Sequence, residues 1–200
     1  MKKLLVVILL LVSINFFYSA ENIGSMIGFN IGYNINSITA SGSGITIDYI
    51  DLNSYSIGLF LDLVYLRGSI IYNDSIGPIK FLGSTALKLK ITFFDLDLIL
   101  KYPFEIGTSI VLWPAAGILS SVILSHSFEM PGPGDTFKED MSDIYLKLGG
   151  GTDIFVFENM AITLSIFYAL NLKPGPNDIP SGVNFSGHIV QFNIGIGFKL

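Results

Sequence analysis

The chain has 200 residues, a formal net charge of −5 and no cysteine. An acidic chain is a poor ligand for nucleic acid, and without thiols it has no disulfide, thiolate metal site or cysteine nucleophile. Half of the residues are hydrophobic and only 14% are charged, whereas a soluble surface usually has about 25–35% charged residues. The composition therefore favours a protein that lies in lipid or covers most of its surface with partners.

Residues 1–20 have the layout of a secretory signal peptide. Two lysines follow Met1, residues 4–12 are uniformly apolar, and Ala20 offers a cleavage site. The apolar stretch is shorter than the roughly 20 residues of a membrane-spanning helix. We therefore predict an exported protein with a signal peptide over residues 1–20 and a single folded domain over residues 21–200.

From residue 27 onward, apolar side chains alternate with small or polar ones. Successive side chains of a strand point to opposite sides, so this alternation predicts β-strands with one apolar face. There are eight such segments, and their apolar rows begin at Ile27, Tyr55, Leu66, Leu96, Ile110, Ile144, Ile162 and Val190.

The connections between these segments alternate in length. Long connections rich in Gly, Ser, Pro, Asn and Asp cover residues 38–53, 74–84, 126–141 and 173–186, and short ones lie near Tyr65, at 105–107 and at 158–159. An even number of strands with alternating short turns and long loops is typical of transmembrane barrels. The sequence thus predicts an all-β protein, a closed antiparallel up-and-down transmembrane β-barrel with eight strands.

Alternation alone does not decide which face meets lipid. The interior of an eight-stranded barrel is just wide enough for side chains, about three layers of four in the comparable parallel barrel. The bulky apolar rows exceed that room, so we expect them outside, against lipid. Two alternatives remain open: a soluble barrel with the apolar rows inside, and a helical membrane protein that uses the apolar segments 109–125 and 154–172.

The opposite rows carry the candidate functional residues. An isolated buried charge is costly, so charges in a narrow lumen should pair and plug it, or else line a narrow pore. The predicted lumen charge network comprises Asp62, Arg67, Asp97, Lys101, Lys147 and Asp153. Aromatic residues near strand ends suit the membrane interfaces, and those predicted to lie there are Tyr33, Tyr65, Tyr72, Tyr102, Phe104 and Phe198.

Two places depart from the regular pattern. Leu87, Leu89, Ile91 and Phe93 have the opposite phase to the row that begins at Leu96, which predicts a bulge near Phe94 or a strand that extends above the membrane. Pro114 cannot donate a ladder hydrogen bond, so we expect a bulge or a local gap there.

The eight segments and the final strand HIVQFNIGIGFKL, residues 188–200, resemble the small outer-membrane barrels of the OmpA membrane-domain and OmpX type. Leu200 stands where that family usually ends in an aromatic residue. The resemblance implies a bacterial outer-membrane location, contact with outer-membrane lipid, and a periplasmic chaperone and the barrel-assembly machinery as partners during biogenesis.

The residues favour a monomeric structural or surface-interaction protein with no cofactor, metal site or catalytic residue, and so not an enzyme. The alternatives are a small channel for ions or solutes and an outer-leaflet lipid-modifying enzyme. The enzyme would need a histidine and a serine in contact, but His126 and Ser127 are neighbours on a strand and should face opposite ways. His188 falls in the lipid-facing phase.

Overall fold

The computed structural model describes residues 23–42, 45–81, 84–129, 142–172 and 183–200, and the predicted signal peptide lies outside them. The described chain forms nine strands: β1 (Met26–Gly42), β2 (Ile45–Asp62), β3 (Leu66–Phe81), β4 (Ser84–Lys101), β5 (Phe104–Ile106), β6 (Ile110–Glu129), β7 (Ser142–Phe157), β8 (Met160–Asn171) and β9 (Val183–Lys199). Within these ranges, no helix is long and apolar enough to cross a membrane.

The eight long strands close into a barrel. Sequential strands pair antiparallel, β4 pairs with β6, and β1 pairs with β9 to complete the ring. The three-residue β5 pairs with β6 and forms a small hairpin beside the ring. The prediction of a closed, eight-stranded antiparallel up-and-down barrel is confirmed.

The two ends of the barrel differ. Tight turns at residues 63–65, 107–109 and 158–159 lie at one end, together with the start of β1 and the end of β9, and we call this the turn end. The strand ends that the other four connections join lie at the opposite end, which we call the loop end. The second turn lies slightly later than predicted, because Phe104–Ile106 is a strand and Gly107, with φ of 65°, begins the turn.

The strands extend farther toward the loop end than the sequence predicts. Within the expected loops over 38–53 and 74–84, every described residue lies in a strand. Gly, Ser, Asn and Asp disfavour strands by propensity, but pairing with a neighbour already in register overrides that weak preference. The strands of 12–20 residues exceed the 9–11 residues that cross a bilayer.

The bulky apolar rows lie on the outside of the barrel. The exposed fractions of Ile31, Leu59, Leu98 and Ile194 are 55%, 67%, 47% and 48%, and the alternate positions on the same strands face the interior. The soluble alternative, which requires these side chains to share the interior, is therefore wrong. The helical alternative is also wrong, because its two segments lie in β6, β7 and β8.

Pro114 lies opposite a local gap, one of the two features predicted for it. Its carbonyl oxygen accepts a hydrogen bond from the Tyr102 N–H at 3.0 Å, so the edge of Pro114 that lacks a donor faces the break between β4 and β5. On the other edge, the pairing of β6 with β7 continues without a register shift.

The bulge predicted near Phe94 is not on β4. The register shift lies on β6, where Thr92 pairs with Ser125 and Phe93 pairs with Ile123, so Leu124 is the extra residue. Phe93 is buried on the same face as Asp95, while Phe94 is exposed. The alternative expectation was a longer strand, and β4 does extend toward the loop end as far as Ser84.

Candidate functional site

Four charged side chains meet in the lumen near the turn end, and we call them the turn-end charge network: Asp62, Arg67, Lys101 and Asp153. Arg67 Nη2 lies 2.7 Å from Asp62 Oδ2 and 3.4 Å from Asp153 Oδ1. Lys101 Nζ lies 2.6 Å from Asp62 Oδ2 and 3.4 Å from Asp153 Oδ2. Each cation therefore contacts both carboxylates, and the formal charges cancel.

The network forms because inward positions on several strands converge near the turn end. Asp62 ends β2 and pairs directly with Arg67 across the tight turn, while Lys101 ends β4. Inside the turn, Val64 has φ of 70° and donates its backbone N–H to Asp62 Oδ1 at 3.1 Å. That backbone conformation is strained for a β-branched residue, so the Asp62 carboxylate also helps to hold the turn.

Two aromatic rings enclose the cations of the network. The Arg67 guanidinium lies 4.4 Å from the centroid of the Phe60 ring and 4.7 Å from that of Trp113, and Lys101 Nζ lies 5.2 Å from Trp113. A Cβ atom at Gly151 would lie 2.5 Å from Cζ2 of the Trp113 indole, so only glycine leaves room for that ring. Cation–π attraction adds to the ion pairing, most strongly where water is excluded.

The network is almost completely removed from solvent. The relative exposures of its four side chains lie between 0% and 6%, and Thr163 Oγ1 donates a further hydrogen bond of 2.8 Å to Asp153 Oδ1. Desolvation of charged groups costs several kcal/mol per ion unless each is paired and hydrogen-bonded. The four charges are therefore stable as a set, and the loss of one leaves another unpaired.

A second ion pair lies farther along the lumen. Lys147 donates a hydrogen bond to Asp97 Oδ2, and its ammonium group lies 4.3 Å from the centroid of the Phe167 ring. Both side chains are buried. The second carboxylate oxygen of Asp97 has no hydrogen-bond partner among the described residues.

Uncharged side chains form a relay beside this pair. Asn34 Nδ2 donates to Asn73 Oδ1 at 2.7 Å, and Asn73 Nδ2 donates to Asp95 Oδ2 at 2.9 Å. Ser121 donates its hydroxyl to the other oxygen of Asp95. The relay therefore points its donor groups toward the buried Asp95 carboxylate.

No family model and no curated sequence matches this chain, but solved structures match its fold. Neisserial surface protein A is 14% identical with a TM-score of 0.50, over 86% of this chain and 97% of that one. The outer membrane protein OprG from Pseudomonas aeruginosa is 13% identical with a TM-score of 0.50, over 88% of this chain and 96% of that one. The chain has the fold of a small bacterial outer-membrane β-barrel.

The structure brings the six predicted lumen residues of this barrel into two groups, the turn-end charge network and the Asp97–Lys147 pair. The predicted charge network left out several lumen residues that lie beside it, namely Phe60, Asn73, Asp95, Trp113 and Ser121. Alternation placed all of these on the inward rows except Trp113, which has the same inward phase. Alternation does not reveal which inward side chains touch, because that depends on the register between strands.

The six predicted interfacial aromatics all have exposed or partly exposed side chains. Those near the turn end are Tyr65, Tyr102, Phe104 and Phe198, and those farther along the outside are Tyr33 and Tyr72. Several form ring pairs, such as Tyr102 with Phe104 at 4.6 Å and Tyr72 with Phe94 at 5.6 Å between centroids. Aromatic side chains at two levels on the outside are the arrangement expected of an outer-membrane barrel.

Among the described side chains, neither histidine forms a catalytic pair with a serine. His126 and Ser127 lie in β6, but their side chains lie outside the described part of the structure. The His188 ring packs against Tyr168 in a tilted arrangement with centroids 5.7 Å apart, and Tyr168 is an exposed residue of the outer face.

Proposed function

We propose that this protein is a non-conducting outer-membrane anchor that presents its loop end outside the cell for interaction with other surfaces. The observation that carries the proposal is the turn-end charge network, whose paired and buried side chains occupy the lumen. Outer-membrane lipid is the partner of the apolar exterior. The barrel closes on itself without a second chain, which supports a monomer.

Closure of the lumen follows from how the network is packed. Arg67 lies between Phe60 and Trp113, and its guanidinium contacts both carboxylates of the network. A hydrated ion would have to displace these side chains and separate charges that are stable only together. The network therefore acts as a plug, and the barrel serves as an anchor rather than a pore.

A role in surface interaction is supported by the length of the wall at the loop end. β6 and β9 pair with β4 and β1 as far as Glu129 and Val183, whereas their pairing with β7 and β8 ends earlier, at Val122 and His188. Among the described residues, six strands thus extend beyond the other two. Loops and extensions on a rigid barrel are where recognition resides in such scaffolds.

Planar-bilayer recording tests the plug. We expect the purified, folded barrel to show no discrete openings, and the double variant Arg67→Ala/Trp113→Ala to show them, because it removes one cation and the ring beside it. Lys90→Ala, which changes an exposed lysine 3.4 Å from Asp74, is the matched control and should stay silent. Openings in the unmodified barrel would contradict the proposal, as would silence of a double variant that still folds.

Single-cysteine labelling tests the orientation, since the natural chain has no cysteine. Lys88→Cys, at an exposed position of β4 toward the loop end, should react with a membrane-impermeant maleimide on intact cells. Ser109→Cys in a turn-end hairpin should react only after the outer membrane is permeabilised. The reverse pattern, or equal labelling in intact cells, would contradict an outward-facing loop end.

A further inference from the structure

A row of buried side-chain oxygen atoms crosses the lumen halfway along four adjacent strands. Gln191, Asn34, Ser54 and Ser75 are direct cross-strand neighbours on β9, β1, β2 and β3. Their relative exposures are 0% to 1%. Each has a side-chain oxygen with no hydrogen-bond partner among the described residues. We call these four residues the oxygen row.

The relay beside the row makes this region electronegative. The Asn34 amide nitrogen donates to Asn73, which in turn donates to Asp95, and the Asn34 oxygen has no hydrogen-bond partner among the described residues. Asp95 is 0% exposed, and no described cationic side chain lies within 4.0 Å of it, because Lys147 is bonded to Asp97 instead. The region therefore combines a buried carboxylate that has hydrogen bonds but no ion-pair partner among the described residues with four side-chain oxygens that have no hydrogen-bond partner.

Such a surplus of acceptors is costly unless a cation or a hydrogen-bond donor meets it, since a buried polar group without a partner has lost its hydration and gained nothing in exchange. The four strands make up half of the ring, so their inward side chains converge on one space. The other half of the ring contributes the buried side chains of Leu119, Tyr145 and Ala169, which form an apolar cluster with Ile189 of β9. A ligand of the row would therefore find its polar contacts mainly on β9, β1, β2 and β3.

We propose that the oxygen row binds a monovalent alkali cation, Na⁺ or K⁺, that keeps part of its hydration shell. Oxygen ligands suit hard cations, and amide and hydroxyl oxygens with one carboxylate behind them suit a cation of low charge. The bound cation would also compensate the Asp95 charge. This site is separate from the turn-end charge network, so its test and the bilayer test can fail independently.

Thermal unfolding of the full barrel in detergent tests the proposal. The midpoint is measured in NaCl, KCl and N-methyl-D-glucamine chloride at the same ionic strength. We expect a saturable rise in Na⁺ or K⁺, roughly 3–6 °C at about tenfold the dissociation constant. The rise should be lost in the double variant Ser54→Ala/Ser75→Ala and in Asp95→Asn, which removes the charge but keeps an acceptor.

Ser69→Ala is the matched control, because Ser69 is a buried lumen serine outside the row and its variant should keep the full rise. Equal midpoints of the unmodified barrel in all three salts would overturn the proposal and leave water as the only occupant of the row. A rise that persists in the Ser54→Ala/Ser75→Ala variant would also overturn it, because the cation would then bind elsewhere.

Discussion

Replacing Lys101 with methionine should lower the free energy of unfolding by about 3–5 kcal/mol, the typical cost of breaking a buried ion pair from one side. Methionine keeps most of the apolar stem but removes the charge that lies 2.6 Å from Asp62 and 3.4 Å from Asp153. Arg67 alone would then face two buried carboxylates. Urea titration in lipid vesicles, followed by the fluorescence of Trp113, the single tryptophan of the chain, measures the change.

Lys90→Met is the matched control for this prediction. Lys90 forms an ion pair with Asp74 at 3.4 Å, but both side chains are nearly half exposed. Water screens such a pair, which contributes about 0–1 kcal/mol. If the two variants lost the same stability, the four charges of the turn-end charge network would not depend on one another.

The second large effect should come from the outer face. Leu59 is the middle of five outward apolar residues that run from Tyr55 to Leu63, and 67% of it is exposed. In a bilayer, an arginine at the midplane of a barrel costs about 2–4 kcal/mol. We therefore expect Leu59→Arg to make folding into vesicles less favourable by that amount.

Leu63→Arg provides the comparison on the same row. Leu63 directly follows β2 at the turn end, where an arginine reaches the headgroups and costs about 0–1 kcal/mol. Both free energies come from urea titrations in the same vesicles. A Leu59→Arg barrel as stable as the Leu63→Arg barrel would mean that acyl chains do not surround the middle of the wall.

The fold was predictable because alternation repeats over most of the chain. Ile31 and Leu59 could be placed outside by comparing the bulk of their rows with the volume of the lumen. Strand ends were less predictable: β1 continues to Gly42 although Asn36, Ala40 and Gly42 have low strand propensity, because β2 supplies a hydrogen-bonded neighbour. The sequence of β1 alone does not reveal that β2 will pair with it.

The lumen was only partly predictable for the same reason. The charges of Arg67 and Asp153 and their phase were visible in the sequence, but their contact joins β3 to β7, across the barrel. Trp113 was overlooked because a large ring is unexpected among small lumen residues, and only the absence of a side chain at Gly151 makes room for it. The oxygen row depends on the register of four strands, which no single segment encodes.

The seam between β1 and β9 has a consequence for how the chain reaches this state. It joins Ile27 to Phe198, nearly the whole length of the described chain, so the wall cannot close until β9 has been synthesised. Contacts of such high order form slowly. Until then, both unfinished edges expose backbone groups that can pair with other chains, so a nascent barrel depends on protection during its transit.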